Sequence, residues 1–209
     1  MPELDHLILA SPDLEEGVSL IESLTGARAI AGGPHPGMGS HNALLTFDQR
    51  TYFEVIAIDP DQPDPNRPRP FGLDDATGPR LAGYAMHPTG GESLEQVADI
   101  LRASGFDPGE TIAMSRVKPD GEEIHWRLTY GGSPASAEGS LPFIIDWGDT
   151  PSPAASLPSM GSLVGLRVSH PDEAVRNAIG SLGLGVETDE GAFSLMAVVD
   201  SAKGRVEIA

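Results

Sequence analysis

"TYFEVIAIDP", residues 51–60, and "LDHLILA", residues 4–10, decide the fold, because both are typical of buried or half-buried β-strands. Each strand contains a polar side chain among apolar ones, Glu54 in the first and His6 in the second. Alternate residues of a strand point to the same face of a sheet, which places each polar side chain on one defined face. If the two strands are neighbours, we predict that His6 and Glu54 lie side by side on a concave sheet.

The segments around these strands repeat one order of elements: a strand, a helix and three strands. Residues 1–60 form the first predicted unit, residues 80–150 the second, and residues 160–209 a third, shorter one. Residues 61–79 are rich in proline and predict a plain connecting loop. In the second unit a hairpin is predicted across "KPDG", residues 118–121. The predicted fold class is therefore α+β, built from tandem βαβββ units.

The first and third units are also similar in amino-acid sequence. "LILASPDLEE" aligns with "LRVSHPDEAV" through the two Pro-Asp pairs, and "YFEVIA" aligns with "RVEIA". This alignment places Glu207 at the position of Glu54. We therefore predict that the first and third units form one cup, with the second unit packed beside it or replacing one partner.

Composition and charge exclude several classes of partner. The chain has 209 residues and a formal net charge of −18, which argues against nucleic acid and anionic membrane surfaces as partners. It contains no cysteine, so disulfides, thiolate metal sites and a cysteine nucleophile are excluded. The N-terminal stretch has neither the basic region of a signal peptide nor a membrane-spanning apolar run. We expect a cytoplasmic protein with a small-molecule partner, and the sequence leaves a homodimer open.

These features resemble the vicinal oxygen chelate superfamily, and its glyoxalase-like branch in particular. The resemblance rests on the tandem βαβββ units, a His in the first strand ("LDHL"), a Glu in the last ("YFEV"), and the stretches "HPGMGSHNALL" and "LPFIIDW". It implies that paired modules curl their sheets into a cup. It also implies a divalent metal (Zn, Fe, Mn or Mg) held by the first and last strands of each module, and no organic cofactor is indicated.

Carried over to the first and third units, the resemblance implies metal ligands on their first and last strands: His6, Glu54 and Glu207. Gly165 departs from the pattern because it has no side-chain ligand. His41, which begins the strand after the Gly-rich loop, could supply the missing ligand. If the first and second units pair instead, the corresponding positions are Gly83 and Ile144, and neither can bind a metal.

Glu54 and His41 are the predicted catalytic residues. Without a metal, His6 and Glu54 would instead act as a general base and its orienting partner. His35 lies in the Gly/Pro-rich loop "GGPHPGMGS", and we predict that it is solvated. We interpret this loop as part of the rim of the cup, and the sequence leaves a role in gating or substrate contact open.

The second unit contributes the predicted substrate-binding residues: Arg116, Trp126 and Arg127. A flat aromatic ring beside a guanidinium would bind a small anionic or carbonyl molecule. The alternative interpretation is a tryptophan in the core and arginines on the surface, and the sequence supports both equally.

The sequence supports three functional hypotheses. The first is an enzyme of the lyase, isomerase or dioxygenase type, in which a divalent metal acts as a Lewis acid on a substrate oxygen. The second is a metal-free protein that binds or sequesters a small apolar compound, as the bleomycin-binding relatives do. The third is an interaction module with an empty cup. The missing metal ligand favours the second hypothesis, and the carboxylates at aligned positions favour the first.

Overall fold

The computed structural model describes residues 1–118 and 121–209. The first unit comprises β1 (Glu3–Ser11), α1 (Leu14–Thr25), β2 (Ile30–His35), β3 (Ser40–Thr46) and β4 (Tyr52–Ile58). The second comprises β5 (Arg80–His87), α2 (Leu94–Ala103), β6 (Glu110–Val117), β7 (Glu123–Tyr130), α3 (Pro134–Glu138) and β8 (Phe143–Asp146). The third comprises β9 (Ser162–Ser169), α4 (Glu173–Ser181), β10 (Glu187–Asp189), β11 (Ser194–Ser201) and β12 (Gly204–Ile208). Short 3₁₀ turns cover Pro70–Asp75 and Pro153–Ser156.

Local signals in the sequence define the ends of the two longest helices. Asp13 caps α1 by accepting a hydrogen bond from the Glu16 amide, and Gly26 ends it in the left-handed conformation. Ser93 and Gln96 form a reciprocal capping box at the start of α2. Over residues 1–118 and 121–209, no helix has both the length and the apolar character that crossing a membrane requires.

The first two units share one curled sheet of eight strands in the order β2-β3-β4-β1-β5-β8-β7-β6. β1 pairs in parallel with β4 and antiparallel with β5, so the units join edge to edge through their first strands. The predicted α+β fold with a curled mixed sheet is confirmed. β6 and β7 pair antiparallel as predicted, and Pro119 and Asp120 of the predicted turn lie outside the described residues.

The third unit forms a separate four-stranded sheet in the order β10-β9-β11-β12. The predicted pairing of the first and third units is therefore wrong. In the first unit the last strand lies beside the first, whereas in the third unit β11 lies between β9 and β12. Glu54 and Glu207 thus occupy unrelated places despite their aligned letters, because strand order is set by long-range pairing that local sequence does not encode.

The eight-stranded sheet curls until its two edge strands approach each other. The guanidinium of Arg116 on β6 donates a hydrogen bond to the Gly32 carbonyl on β2. A Cβ at Gly33 would lie 3.2 Å from the Val117 carbonyl oxygen, and Gly33 has φ 132°, so this close approach requires glycine. The sheet is therefore nearly closed, and its concave face surrounds an interior space.

The two faces of the curled sheet have different neighbours. On the convex side, one apolar core joins the sheet to α1, α2 and the inner face of the third unit's sheet. The concave side faces the interior space, and part of the proline-rich segment helps to line that space. That segment is therefore not the plain connecting loop that was predicted. Its residues Arg69 and Phe71 line the interior space.

Candidate functional site

The concave face encloses a cavity of about 460 Å³, within the range of about 300–1,000 Å³ typical of small-molecule sites. Strands of both units and the proline-rich segment contribute to its lining. Of the predicted site residues, the structure brings four to this cavity: His6, Glu54, Arg116 and Trp126.

His6 and Glu54 meet on the concave face, as the alternation of their strands predicted. The His6 Nε2 atom lies 3.4 Å from Glu54 Oε2, and both residues are buried. Burial opposes the charge on His6, but hydrogen bonds to Asp5 and Glu54 outweigh it and raise the pKa of His6 to about 9. Burial likewise opposes ionisation of Glu54, but His6 leads the groups that lower the pKa of that carboxyl to about 2. The two therefore form a buried ion pair at neutral pH.

Asp5 completes this arrangement from the other side of the imidazole. Its Oδ1 atom lies 2.6 Å from His6 Nδ1, and its Oδ2 atom accepts a hydrogen bond of 3.1 Å from the Trp147 indole. Simple alternation would point Asp5 away from His6, but the pairing of β1 with β5 skips Asp5 at an irregularity between Leu4 and His6. Such a bulge re-aims a side chain. Asp5 therefore orients the imidazole, a role that the sequence pattern missed.

Asn42 and His35 surround the other oxygen of Glu54. The Asn42 amide nitrogen donates to Glu54 Oε1 at 2.8 Å and lies 3.2 Å from His35 Nε2. The His35 Nδ1 atom lies 3.0 Å from the Ser40 hydroxyl. The prediction that His35 is solvated is wrong, since it is buried, and burial lowers its pKa. His35 is thus a neutral imidazole at neutral pH.

Arg116 brings a second cation to the cavity wall. Its side chain is buried, and one of its nitrogens donates to the Gly32 carbonyl. Burial lowers the pKa of Arg116, and the nearby Glu54 carboxylate partly opposes this effect. Among residues 1–118 and 121–209, no carboxylate forms an ion pair with it within 4.0 Å. A guanidinium has five N–H donors, and within the described part of the chain the Gly32 carbonyl is the one hydrogen-bond acceptor that Arg116 has, so its other donors could bind an anion.

Aromatic rings cover the remaining wall. The Tyr52 ring stacks on His6 with centroids 4.3 Å apart, and the Phe143 ring meets His6 edge-on at 5.4 Å. Trp126 and Trp147 lie 5.6 Å apart, and both line the cavity. Such a surface favours a flat or apolar molecule.

Three predicted site residues lie outside the cavity: His41, Arg127 and Glu207. His41 occupies the opposite face of β3 from Asn42, with Nδ1 4.0 Å from Asp59. Arg127 forms ion pairs with Glu95 and Asp146 away from the cavity lining. Glu207 is exposed in the second sheet. The structure gives these three no contact with the candidate site, because the strand period or the sheet pairing turns each of them elsewhere.

The residues present do not fit the metal centre that the resemblance implies. In the antiparallel pairing of β1 with β5, Leu7 lies opposite Tyr84. Taking these two residues as equivalent in the two units, Gly83 of the second unit corresponds to His6 of the first. By the same equivalence, Ala85 corresponds to Ile8. Glu54 lies opposite Ile8, and Phe143 lies opposite Ala85. Phe143 therefore corresponds to Glu54, in place of the predicted Ile144.

Neither counterpart can bind a metal. Both ring nitrogens of His6 also have partners already, Nδ1 in Asp5 and Nε2 in Glu54. No cluster of three or more potential metal ligands is found over the part of the chain that the structure describes.

Comparisons with known proteins found a matching family and similar structures. A family model described as "Glyoxalase-like domain" matches residues 4–183. A hypothetical protein from Staphylococcus aureus is 16% identical with a TM-score of 0.64, over 100% of this chain and 86% of that chain.

Two methylmalonyl-CoA epimerase structures are also similar. One, in complex with methylmalonyl-CoA and NH4+, is 18% identical with a TM-score of 0.47, over 73% of this chain and 99% of that chain. The other, from Mycobacterium tuberculosis, is 18% identical with a TM-score of 0.41, over 68% of this chain and 84% of that chain. No curated protein matches the sequence.

Proposed function

This chain belongs to the glyoxalase-like domain family, and from that premise we propose that it is a metal-independent cup that binds a small organic anion with an apolar body. The observation that carries the proposal is Arg116, a buried cation on the cavity wall without a carboxylate partner among the described residues. A buried charge is costly unless it is paired. An acidic group on the ligand would supply that pairing.

The rest of the cavity supports the same class of ligand. The aromatic rings of Trp126, Trp147 and Phe143 offer an apolar surface for the body of the molecule. The Glu54 carboxylate has lone pairs beyond those used by His6 and Asn42, so it can accept a hydrogen bond from a hydroxyl on the ligand. A small oxygenated acid therefore satisfies both the charge and the apolar surface.

The enzyme hypothesis with a Lewis-acid metal receives less support from the donor set. A lyase, isomerase or dioxygenase of that kind would take ligands from both units, and the second unit offers Gly83 and Phe143 at those positions. Glu54 is also a weak base, because its pKa is lowered to about 2. The geometry thus favours binding over metal-assisted catalysis.

The proposal is tested by calorimetric titration with phenylpropionate and its uncharged amide. We expect the acid to bind wild type at least tenfold more tightly than the amide, since a hydrogen bond to a charged group contributes about 1.5–3 kcal/mol. Arg116→Gln should remove this preference. Arg127→Gln is the matched control, because Arg127 lies outside the cavity and is already paired. Equal binding of acid and amide to wild type would contradict the proposal.

Metal independence has its own experiment. Protein purified without a chelator is analysed for bound metal, and wild type and Glu54→Gln are then titrated with divalent ions at matched pH. We expect indistinguishable isotherms and the same affinity for phenylpropionate with and without chelator. Binding of a divalent ion that Glu54→Gln weakens would restore the metal hypothesis, with His6 and Glu54 as its ligands.

A further inference from the structure

We propose that Phe71, in the proline-rich segment, closes one end of the cavity and sets the length of the molecule that the cavity accepts. This inference rests on the proposed function, since it concerns the same cavity. Phe71 is partly buried and lies among the lining residues. Its backbone, its anchoring and the packing of its ring each support the assignment.

The backbone of Phe71 is held in an unfavourable conformation. Its φ of 60° and ψ of 22° lie in the left-handed region, and it is the sole non-glycine residue with positive φ among residues 1–118 and 121–209. A side chain with a Cβ disfavours this region, and such residues concentrate at ligand clamps and active sites. The unfavourable backbone conformation therefore indicates that the Phe71 ring has a role in the cavity.

Several contacts hold the segment in place beside the cavity. Arg80 donates to the Phe71 carbonyl at 2.7 Å. Arg69 donates to the Gly39 carbonyl of the first unit at 2.9 Å. The Tyr130 hydroxyl of the second unit donates to the Pro68 carbonyl at 3.0 Å. Because both units anchor the segment, the position of Phe71 relative to the cavity is fixed.

The ring of Phe71 occupies space that the second unit leaves open. A Cβ at Gly83 would lie 3.1 Å from two carbons of the Phe71 ring, so glycine at this position makes room for it. The ring also packs against Phe143, with centroids 5.9 Å apart. Removing the ring would leave an opening above Gly83, because Gly83 has no side chain to fill it.

The experiment measures affinity against ligand length. Benzoate, phenylacetate, phenylpropionate, phenylbutyrate and phenylhexanoate are titrated by calorimetry into wild type and Phe71→Gly. Glycine suits the left-handed backbone, so the variant removes the ring without adding strain. We expect wild-type affinity to fall at least tenfold beyond one length, and Phe71→Gly to bind the next longer acids tenfold more tightly. Benzoate affinity should change less than threefold.

Two further variants secure the interpretation. Phe193→Ala removes a partly buried ring that packs on His170 away from the cavity, and it should keep the wild-type length limit. Phe71→Leu shortens the side chain with less loss of packing and should give an intermediate limit, and it replaces Phe71→Gly if that protein fails to fold.

Each outcome separates the two proposals. A length limit that is the same in wild type, Phe71→Gly and Phe71→Leu would overturn the role of Phe71 and leave the anion-binding cup intact. A wild-type series without any length limit would do the same. If none of the acids binds wild type or the Phe71 variants, the proposed function itself fails and this inference fails with it.

Discussion

The two units that form the cup share one order of elements, yet their halves of the concave face differ in chemistry. The first unit places His6 and Glu54 there as a buried ion pair. At the corresponding positions the second unit places Gly83 and Phe143, with the Phe71 ring packed over the glycine. The shared architecture thus fixes where side chains meet, while the residue types decide whether charge or apolar surface is presented.

This difference also indicates how a ligand would lie in the cavity. Arg116 reaches from the second unit to the edge of the first, so the cationic group is at the seam between β2 and β6. The aromatic rings lie toward β7 and β8. If the proposed function holds, we expect an amphipathic acid to bind in one orientation, with its acidic group at the seam.

Removing the cation from the polar half should have the largest effect on stability. His6→Leu leaves the carboxylates of Asp5 and Glu54 buried without their shared partner. Loss of one member of a buried ion pair costs about 3–5 kcal/mol. Urea unfolding followed by circular dichroism should show this decrease in the free energy of unfolding. A change below about 1 kcal/mol would mean that the pair is solvated in the folded protein.

The pH dependence of stability should reveal the same pair with a smaller effect. The pKa of His6 rises from 6.5 to about 9 on folding, so its contribution is complete below pH 6.5 and is lost as pH rises through 9. The pKa of Glu54 falls from 4.5 to about 2, so its contribution is complete above pH 4.5 and is lost as pH falls through 2. The stability difference between wild type and His6→Leu should therefore be largest between pH 4.5 and 6.5. A difference that stays constant up to pH 10 would contradict the raised pKa of His6.

The apolar side chains that the second unit contributes should tolerate substitution better. Phe143→Leu keeps an apolar side chain and loses the edge contact with the His6 ring at 5.4 Å. Core substitutions of similar volume cost less than about 1.5 kcal/mol. The free energy of unfolding should fall by about 1 kcal/mol, and the pH profile should keep its wild-type shape because the ion pair is intact. A destabilisation as large as that of His6→Leu would erase the contrast between the halves.

Outside the cavity the smallest effect is expected. Arg127 forms ion pairs with Glu95 and Asp146 on the surface. Surface ion pairs contribute about 0–1 kcal/mol. Arg127→Gln should therefore change the free energy of unfolding by less than about 1 kcal/mol, measured by urea unfolding. A decrease in the free energy of unfolding well above 1 kcal/mol would show that these two ion pairs support the sheet that carries Arg116.

The sequence predicted the parts of the site that depend on local periodicity. Alternation along two apolar strands was enough to bring His6 and Glu54 together, whereas the predicted substrate-binding role of Arg127 did not follow from it, since Trp126 lines the cavity and Arg127 does not. It failed at Asp5, where an irregularity in strand pairing turns the side chain toward His6. A bulge depends on the partner strand, so a single strand read alone does not reveal it.

Other predictions from the sequence were wrong at residues whose positions depend on long-range contacts. His35 follows glycine and proline residues, which predict a solvated loop, yet it is buried on the edge strand β2 and lines the cavity. Phe71 lay in a segment whose proline content indicates a connection, and nothing in its letters predicts that both units anchor it. The order of strands in the third unit likewise follows from tertiary pairing, which displaced Glu207 from the predicted site.

Trp126 and Trp147 are the two tryptophans of the chain, and both line the cavity. Indole emission will therefore report the cup alone, while residues 160–209 contribute to far-ultraviolet circular dichroism and not to tryptophan fluorescence. Lys203 joins this tryptophan-free unit to the end of α1 through the Glu22 and Ser23 carbonyls. Coincident melting curves by the two methods would mean that the third unit unfolds together with the cup. A circular dichroism transition at lower temperature than the fluorescence transition would identify it as a separately cooperative part of the protein.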